Sequence, residues 1–196
     1  MSYSIRMANP SDVSSIADHL CRAGGGLMEF LLHNVVPDVS PEQLLAVVLT
    51  EPQSALSYSN SIVLDEDGEV KGVMLGYPFK DFNISEEMQM FVDQEKLDAV
   101  RSLYTKKIPR SFYIHALSVD DSVKGRGGGK ALIDIAKEIA VDEGLDNLSL
   151  HVWRDNEPAR ILYQKTGFQE VEDIPMTRHD LLPHDGGMIL LKMDIE

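Results

Sequence analysis

The sequence predicts an α/β (α+β) fold: a mixed, mostly antiparallel central sheet of six to seven strands flanked by helices. Three observations predict it. Hydrophobic periodicity switches repeatedly between the helical and the extended pattern. Asp65-Glu66-Asp67-Gly68 between two β-like runs is a hairpin signal. A β-like run, Ser111–Val119, leads through a glycine-rich loop into an amphipathic helix.

The elements follow in order. Tyr3–Ala8 alternates polar and apolar residues and reads as a first strand. Asn9-Pro10-Ser11-Asp12 is turn and cap chemistry, and Val13, Ile16, Ala17 and Leu20 recur at helical spacing. Gly24-Gly25-Gly26 breaks that helix. A second helix covers Leu27 to about Asn34, and a third starts at Ser40-Pro41, with Ser as cap and Pro at the first helical position. Ser61–Leu64 and Val70–Gly76 are strands two and three. Residues 80–110 read as a helical insertion between strands three and four, with Met88, Phe91, Val92, Glu95 and Val100 at helical spacing. Lys130–Glu143 is the strongest helix, ended by Gly144. Asn147–Trp153 is a strand, and about Asn156 to Lys165 a helix. Phe168–Val171 and Met188–Ile195 form a final antiparallel pair. No repeat or flexible linker interrupts residues 1–196, so one domain is expected.

Composition narrows the function. The 196 residues carry a formal net charge of −14. Non-specific nucleic-acid binding needs clustered Lys and Arg, so no nucleic-acid partner is expected. An acidic protein suits a cationic small substrate. Cys21 is the single cysteine, which excludes an intramolecular disulfide and a Cys-based zinc cluster. His179 and His184 near Asp180 and Asp185 show no metal-binding spacing, so no metal is expected. The N-terminus lacks the apolar core of a signal peptide, and no apolar run is long enough to span a bilayer. No membrane partner and a cytoplasmic location are expected.

The segment Lys124-Gly125-Arg126-Gly127-Gly128-Gly129-Lys130 is a recipe for holding phosphate. Glycines let backbone N–H groups approach an anion closely, and the helix start adds unpaired N–H groups and a positive dipole end. A P-loop fails here, because Ala131 follows Gly129-Lys130 and Lys124 stands where the first Gly belongs. A dinucleotide fingerprint fails at its third glycine, which is Lys130.

A third template fits. Lys124, Gly127 and Gly129 resemble the coenzyme A motif of the GNAT N-acetyltransferase superfamily, with Lys in place of its Arg or Gln. Downstream, Asn156, Ala159, Tyr163, Gly167 and Phe168 match the family's second motif in order and spacing. The resemblance implies acetyl-coenzyme A as co-substrate, attacked directly by an amine. It places the pantetheine arm along Leu117, Ser118 and Val119, the pyrophosphate on Lys124 through Lys130, and Asn156 on the cofactor side. It implies Tyr163 as the general acid at the coenzyme sulfur. His115, in a His-Ala-Leu-Ser-Val run similar to that of some small-amine acetyltransferases of the family, is one candidate for the base; Glu86 or Glu87 is another. His151 and Trp153 read as structural. By alternation, Tyr113, His115, Leu117 and Val119 share one face of the fourth strand.

The expected function is N-acetylation of a primary amine on a small cationic molecule. A non-catalytic acyl-coenzyme A sensing module and an acetyltransferase acting on a protein or peptide amine are the alternatives. The family's frequent dimers make a homodimer one expected state.

Overall fold

The computed structural model describes residues 3–195. Strand β1 (Ser4–Met7) opens the chain, followed by helices α1 (Val13–Gly24), α2 (Leu27–Leu32) and α3 (Pro41–Leu49). Gly25 and Gly26, at φ 56° and 93°, turn the chain between α1 and α2, a conformation glycine adopts at least cost. Ser40 caps α3 in a reciprocal box with Gln43, and Pro41 sits in its first turn. Helix α2 stops at Leu32, two residues short of the sequence expectation, and Asn34 takes a left-handed φ of 59°.

Strands β2 (Ser61–Glu66) and β3 (Glu69–Pro78) form the expected hairpin. Asp67 and Gly68 at its tip both have positive φ, the geometry a tight hairpin demands. The insertion folds as α4 (Glu86–Phe91) and α5 (Gln94–Thr105), ahead of β4 (Ser111–Val119). Then come α6 (Gly128–Asp142), β5 (Asn147–Trp153), α7 (Glu157–Thr166), β6 (Gln169–Ile174) and β7 (Met188–Asp194). No helix among the described residues is long and apolar enough to cross a membrane.

The seven strands form one sheet in the order β1-β2-β3-β4-β5-β7-β6. Every neighbouring pair is antiparallel except β4–β5. Two cores cover the two faces. On one, Leu132, Ile133 and Ala136 of α6 pack on Phe112, Ile114, Leu148 and Leu150. On the other, Leu20, Leu45, Leu97 and Val100 pack on Val73, Leu75, Tyr77 and Tyr113.

Strand β4 is irregular where it matters. Leu75 pairs with Ala116, but Gly76 pairs with Ile114, so His115 is an extra residue in β4. This bulge corrects the face assignment made by simple alternation. Tyr113 and His115 face the side of α1, with the His115 ring on Tyr77. After the bulge the phase inverts. Ala116 and Ser118 face α1, whereas Leu117 and Val119 pack on the α6 side.

Candidate active site

The parallel pair β4–β5 lasts only three residues: Ser111, Phe112 and Tyr113 opposite Asn147, Leu148 and Ser149. Beyond Tyr113 the two strands part. Strand β3 still covers one edge of β4 as far as Val119, so the other edge, from Ile114 onward, has no strand partner among the described residues. Unpaired backbone groups must find water or a ligand. Between the parted strands lies a cleft of about 870 Å³, walled by Ile114 through Val119 on one side and Leu150 through Trp153 on the other.

One end of the cleft is the glycine loop. Gly125 and Gly127 have φ of 75° and 84°, and Gly127 precedes the first turn of α6. The first intrahelical bond runs from the Ala131 N–H to the Gly127 carbonyl at 2.9 Å. The amides of Gly128, Gly129 and Lys130 therefore lack intrahelical acceptors and form an anion site with the helix dipole. Glycine is also required by packing: a Cβ on Gly128 would lie 2.7 Å from Leu64 Cδ1, and one on Gly129 3.0 Å from Leu162 Cδ2. The residues present thus fit a pyrophosphate.

The loop's cations are less directly committed. Lys124 pairs with Asp121, and Lys130 with Asp134 at 2.6 Å, both on exposed side chains that can turn to a ligand. Arg126 turns away. Its guanidinium pairs with Glu66 at 2.7 Å and lies over the Tyr3 ring, and it does not line the cleft. Arg22, at the end of α1, lines this end instead, its charge acting on Asp120.

Helix α7 forms the next wall. Asn156 lines the cleft and caps the helix, its Oδ1 accepting from the Ala159 N–H at 3.3 Å. Tyr163, two turns on, is 7% exposed, packs edge-on against Phe168 and lines the cleft. Burial raises its phenol above the ordinary range, so it keeps its proton at neutral pH.

The other end of the cleft is aromatic. His115 Nδ1 lies 2.8 Å from the Tyr77 hydroxyl, and His151 Nδ1 lies 2.9 Å from the Tyr113 hydroxyl. Phe82 stacks on Tyr113 at 4.1 Å and on Tyr104 at 4.7 Å between centroids. Burial pushes His115 down to about 4 and His151 to about 3, so both are neutral near pH 7. Glu86 is exposed on α4 and does not line the cleft; the side chain of Glu87 lies outside the described residues.

The sequence reading placed His151 and Trp153 as structural residues, yet both line the cleft. Trp153 Nε1–H donates to the Gly24 carbonyl at 2.8 Å and its ring stacks on His184, whose Nδ1 lies 2.6 Å from Asp155. Arg22, Phe82 and Tyr104 were missed altogether. The alternation of His151 and Trp153 on one face of β5 was the available signal for those two. Away from the cleft, Cys21, Glu29 and Glu42 bring three ligand atoms within 4.8 Å of one another. Burial, with Glu29 and Glu42 nearby, pushes the Cys21 thiol up to about 12, which disfavours the thiolate a metal needs.

Comparison with known proteins bears on the fold and the family. The chain is 41% identical over 58 residues to a mycothiol acetyltransferase of Beutenbergia cavernae, covering 30% of this chain and 20% of that protein. It is 35% identical over 66 residues to the uncharacterized N-acetyltransferase YycN of Bacillus subtilis, covering 34% of this chain and 42% of that protein. The matches thus span less than half the length of these curated relatives. Among solved structures, an acetyltransferase shares 25% identity with a TM-score of 0.67, over 98% of this chain and 100% of that one. An N-acetyltransferase from Staphylococcus aureus Mu50 shares the fold at 19% identity and a TM-score of 0.73, over 97% and 100% of the two chains. A family model described as the Acetyltransferase (GNAT) family matches residues 36–168, more than half of the sequence, and the chain belongs to that family.

Proposed function

We propose that residues 1–196 act as one cytoplasmic acyltransferase domain that moves an acetyl group from acetyl-coenzyme A to the primary amine of a small molecule. The observation that carries this reading is the parting of β4 and β5 beside a glycine-rich helix start and Tyr163.

The free edge of β4 over Leu117, Ser118 and Val119 bonds the pantetheine amides as an added strand would. His19 Nδ1, 2.9 Å from Ser118 Oγ, holds that side chain toward α1 and away from the pantetheine path. The amides of Gly127 through Lys130, with Lys124, hold the pyrophosphate. A backbone N–H of the same edge polarises the thioester carbonyl. Holding amine and thioester together supplies much of the acceleration. The amine nitrogen attacks the carbonyl carbon, the C–N bond forms and the C–S bond breaks. Tyr163, still protonated, gives its proton to the departing sulfur. His115, neutral and oriented by Tyr77, accepts a proton from the amine, directly or through water. A base held near 4 is weak, so this transfer contributes less than positioning does.

A cationic acceptor was expected from the net charge. The acids behind that charge do not line the acceptor end among the described residues, and only the primary amine is retained in this reading.

Free-thiol release tests the proposal, with acetyl-coenzyme A and a panel of amines. Thermal-shift measurements with acetyl-coenzyme A, ATP and NAD run beside it. Stabilisation by ATP or NAD with none by acetyl-coenzyme A would overturn the donor assignment. Binding of acetyl-coenzyme A without turnover of any amine would favour the sensing module.

A further inference from the structure

We infer that the acceptor is a monoamine carried on an apolar or aromatic body. This rests on the acetyltransferase reading and names the substrate class for the same cleft.

The cleft is divided in charge. Its charged lining residues are Arg22, Asp121, Lys124 and Lys130, all at the end of β4 and the glycine loop. The opposite end is lined by Leu27, Met28, Leu103, Tyr104, Tyr113 and the two histidines. No carboxylate lines it among the described residues, and burial keeps His115 and His151 neutral. A polyamine placed there would lose the hydration of every ammonium group and meet no counter-charge. Aromatic faces can bind cations, but Phe82 stacks on both Tyr104 and Tyr113 and already has the Lys107 ammonium 5.8 Å from its ring centroid, a like charge for any incoming ammonium. An amino sugar would find fewer partners for its several hydroxyls, because Nδ1 of each histidine is already held by a tyrosine and only the Nε2 atoms remain, that of His151 without a partner among the described residues. An apolar body gains by leaving water, and its single amine reaches the thioester beside His115 in the neutral form that attack requires.

The sheet bulge supports the same assignment. By sending Leu117 and Val119 to the α6 side while leaving Tyr113 and His115 on the other, it separates the donor-side lining from the aromatic end.

The test compares kcat/KM for 2-phenylethylamine, spermidine and glucosamine at saturating acetyl-coenzyme A. The expected result is a preference for phenylethylamine of at least about tenfold over both. Tyr104→Ala should raise the KM for phenylethylamine several-fold and leave the KM for acetyl-coenzyme A within about twofold. Spermidine or glucosamine preferred over phenylethylamine would overturn this inference and leave the acetyltransferase reading standing. Thiol release with other amines but none of these three would overturn this inference alone, and no release with any amine, in protein that still binds acetyl-coenzyme A, would overturn both.

Discussion

Lowering the pH from about 7.5 to about 5 should destabilise this protein through three histidines, well before its carboxylates titrate. His19 is 2% exposed and burial pushes it down to about 4, the same direction as His115 and His151. An unfolded chain takes up a proton on each near its ordinary 6.5, whereas the folded chain does not until about 4 or 3. The unfolded state therefore binds more protons in this window, and stability falls as pH falls through it. Stability from these groups is intact above about 6.5 and lost progressively down to about 4 for His19 and His115 and about 3 for His151. At about pH 5 the arithmetic gives about 2 kcal/mol for His19. His115 and His151 line the water-accessible cleft, so about 1 kcal/mol each is a fairer figure. The total, about 4 kcal/mol, is a large share of the 5–15 kcal/mol typical of a domain. Urea unfolding at the two pH values measures it. Replacing His19 by Gln, which can still bond Ser118, should remove about half of the pH effect while leaving unfolding cooperative. A loss under about 1 kcal/mol, or an unchanged pH dependence in His19→Gln, would refute the assignment of neutral buried histidines.

Other outcomes follow from the same geometry. Tyr163→Phe should lower kcat by about 10²-fold or more with the KM for acetyl-coenzyme A nearly unchanged, measured by thiol release. Gly128→Val forces a Cβ to 2.7 Å from Leu64 and should raise the KM for acetyl-coenzyme A more than about tenfold. Arg126→Ala should change that KM by less than about threefold, because the guanidinium is held by Glu66 outside the cleft. Leu132→Ala, on the buried face of α6, should cost about 2–5 kcal/mol in urea unfolding.

Local chemistry made much of the architecture readable. The hairpin tip Asp67-Gly68, the Ser40-Pro41 helix start and the helix-ending Gly144 all declare themselves within a few residues, and the structure bears each out. The sheet of seven strands follows from such signals. The loop Lys124–Lys130 and the run from Asn156 to Phe168 were legible for the same reason: each is contiguous. The rest was set at long range. Arg126 points where it does because Glu66, 60 residues earlier in the chain, takes its charge. The aromatic end joins Phe82 and Tyr104 of the insertion to Tyr113 and His151, residues that share no motif. Alternation along β4 misled, because an extra residue in one strand is visible only against its partner.

That extra residue gives β4 something like a reading frame. Ile114 faces α6 and Ala116 faces α1, so deleting His115 would restore strict alternation and leave every side chain beyond it on its present side. Inserting one residue after His115 would instead turn Leu117 and Val119 toward α1, and Ala116 and Ser118 toward α6. Neither packing layer has room for the exchange, since Leu132, Ile133 and Leu20 are already 0–2% exposed. The strand therefore tolerates substitution or loss at 115 far better than any lengthening beyond it. The extra position is thus one that the packing of β4 does not need, and its consequence lies in the side chain it presents to the cleft.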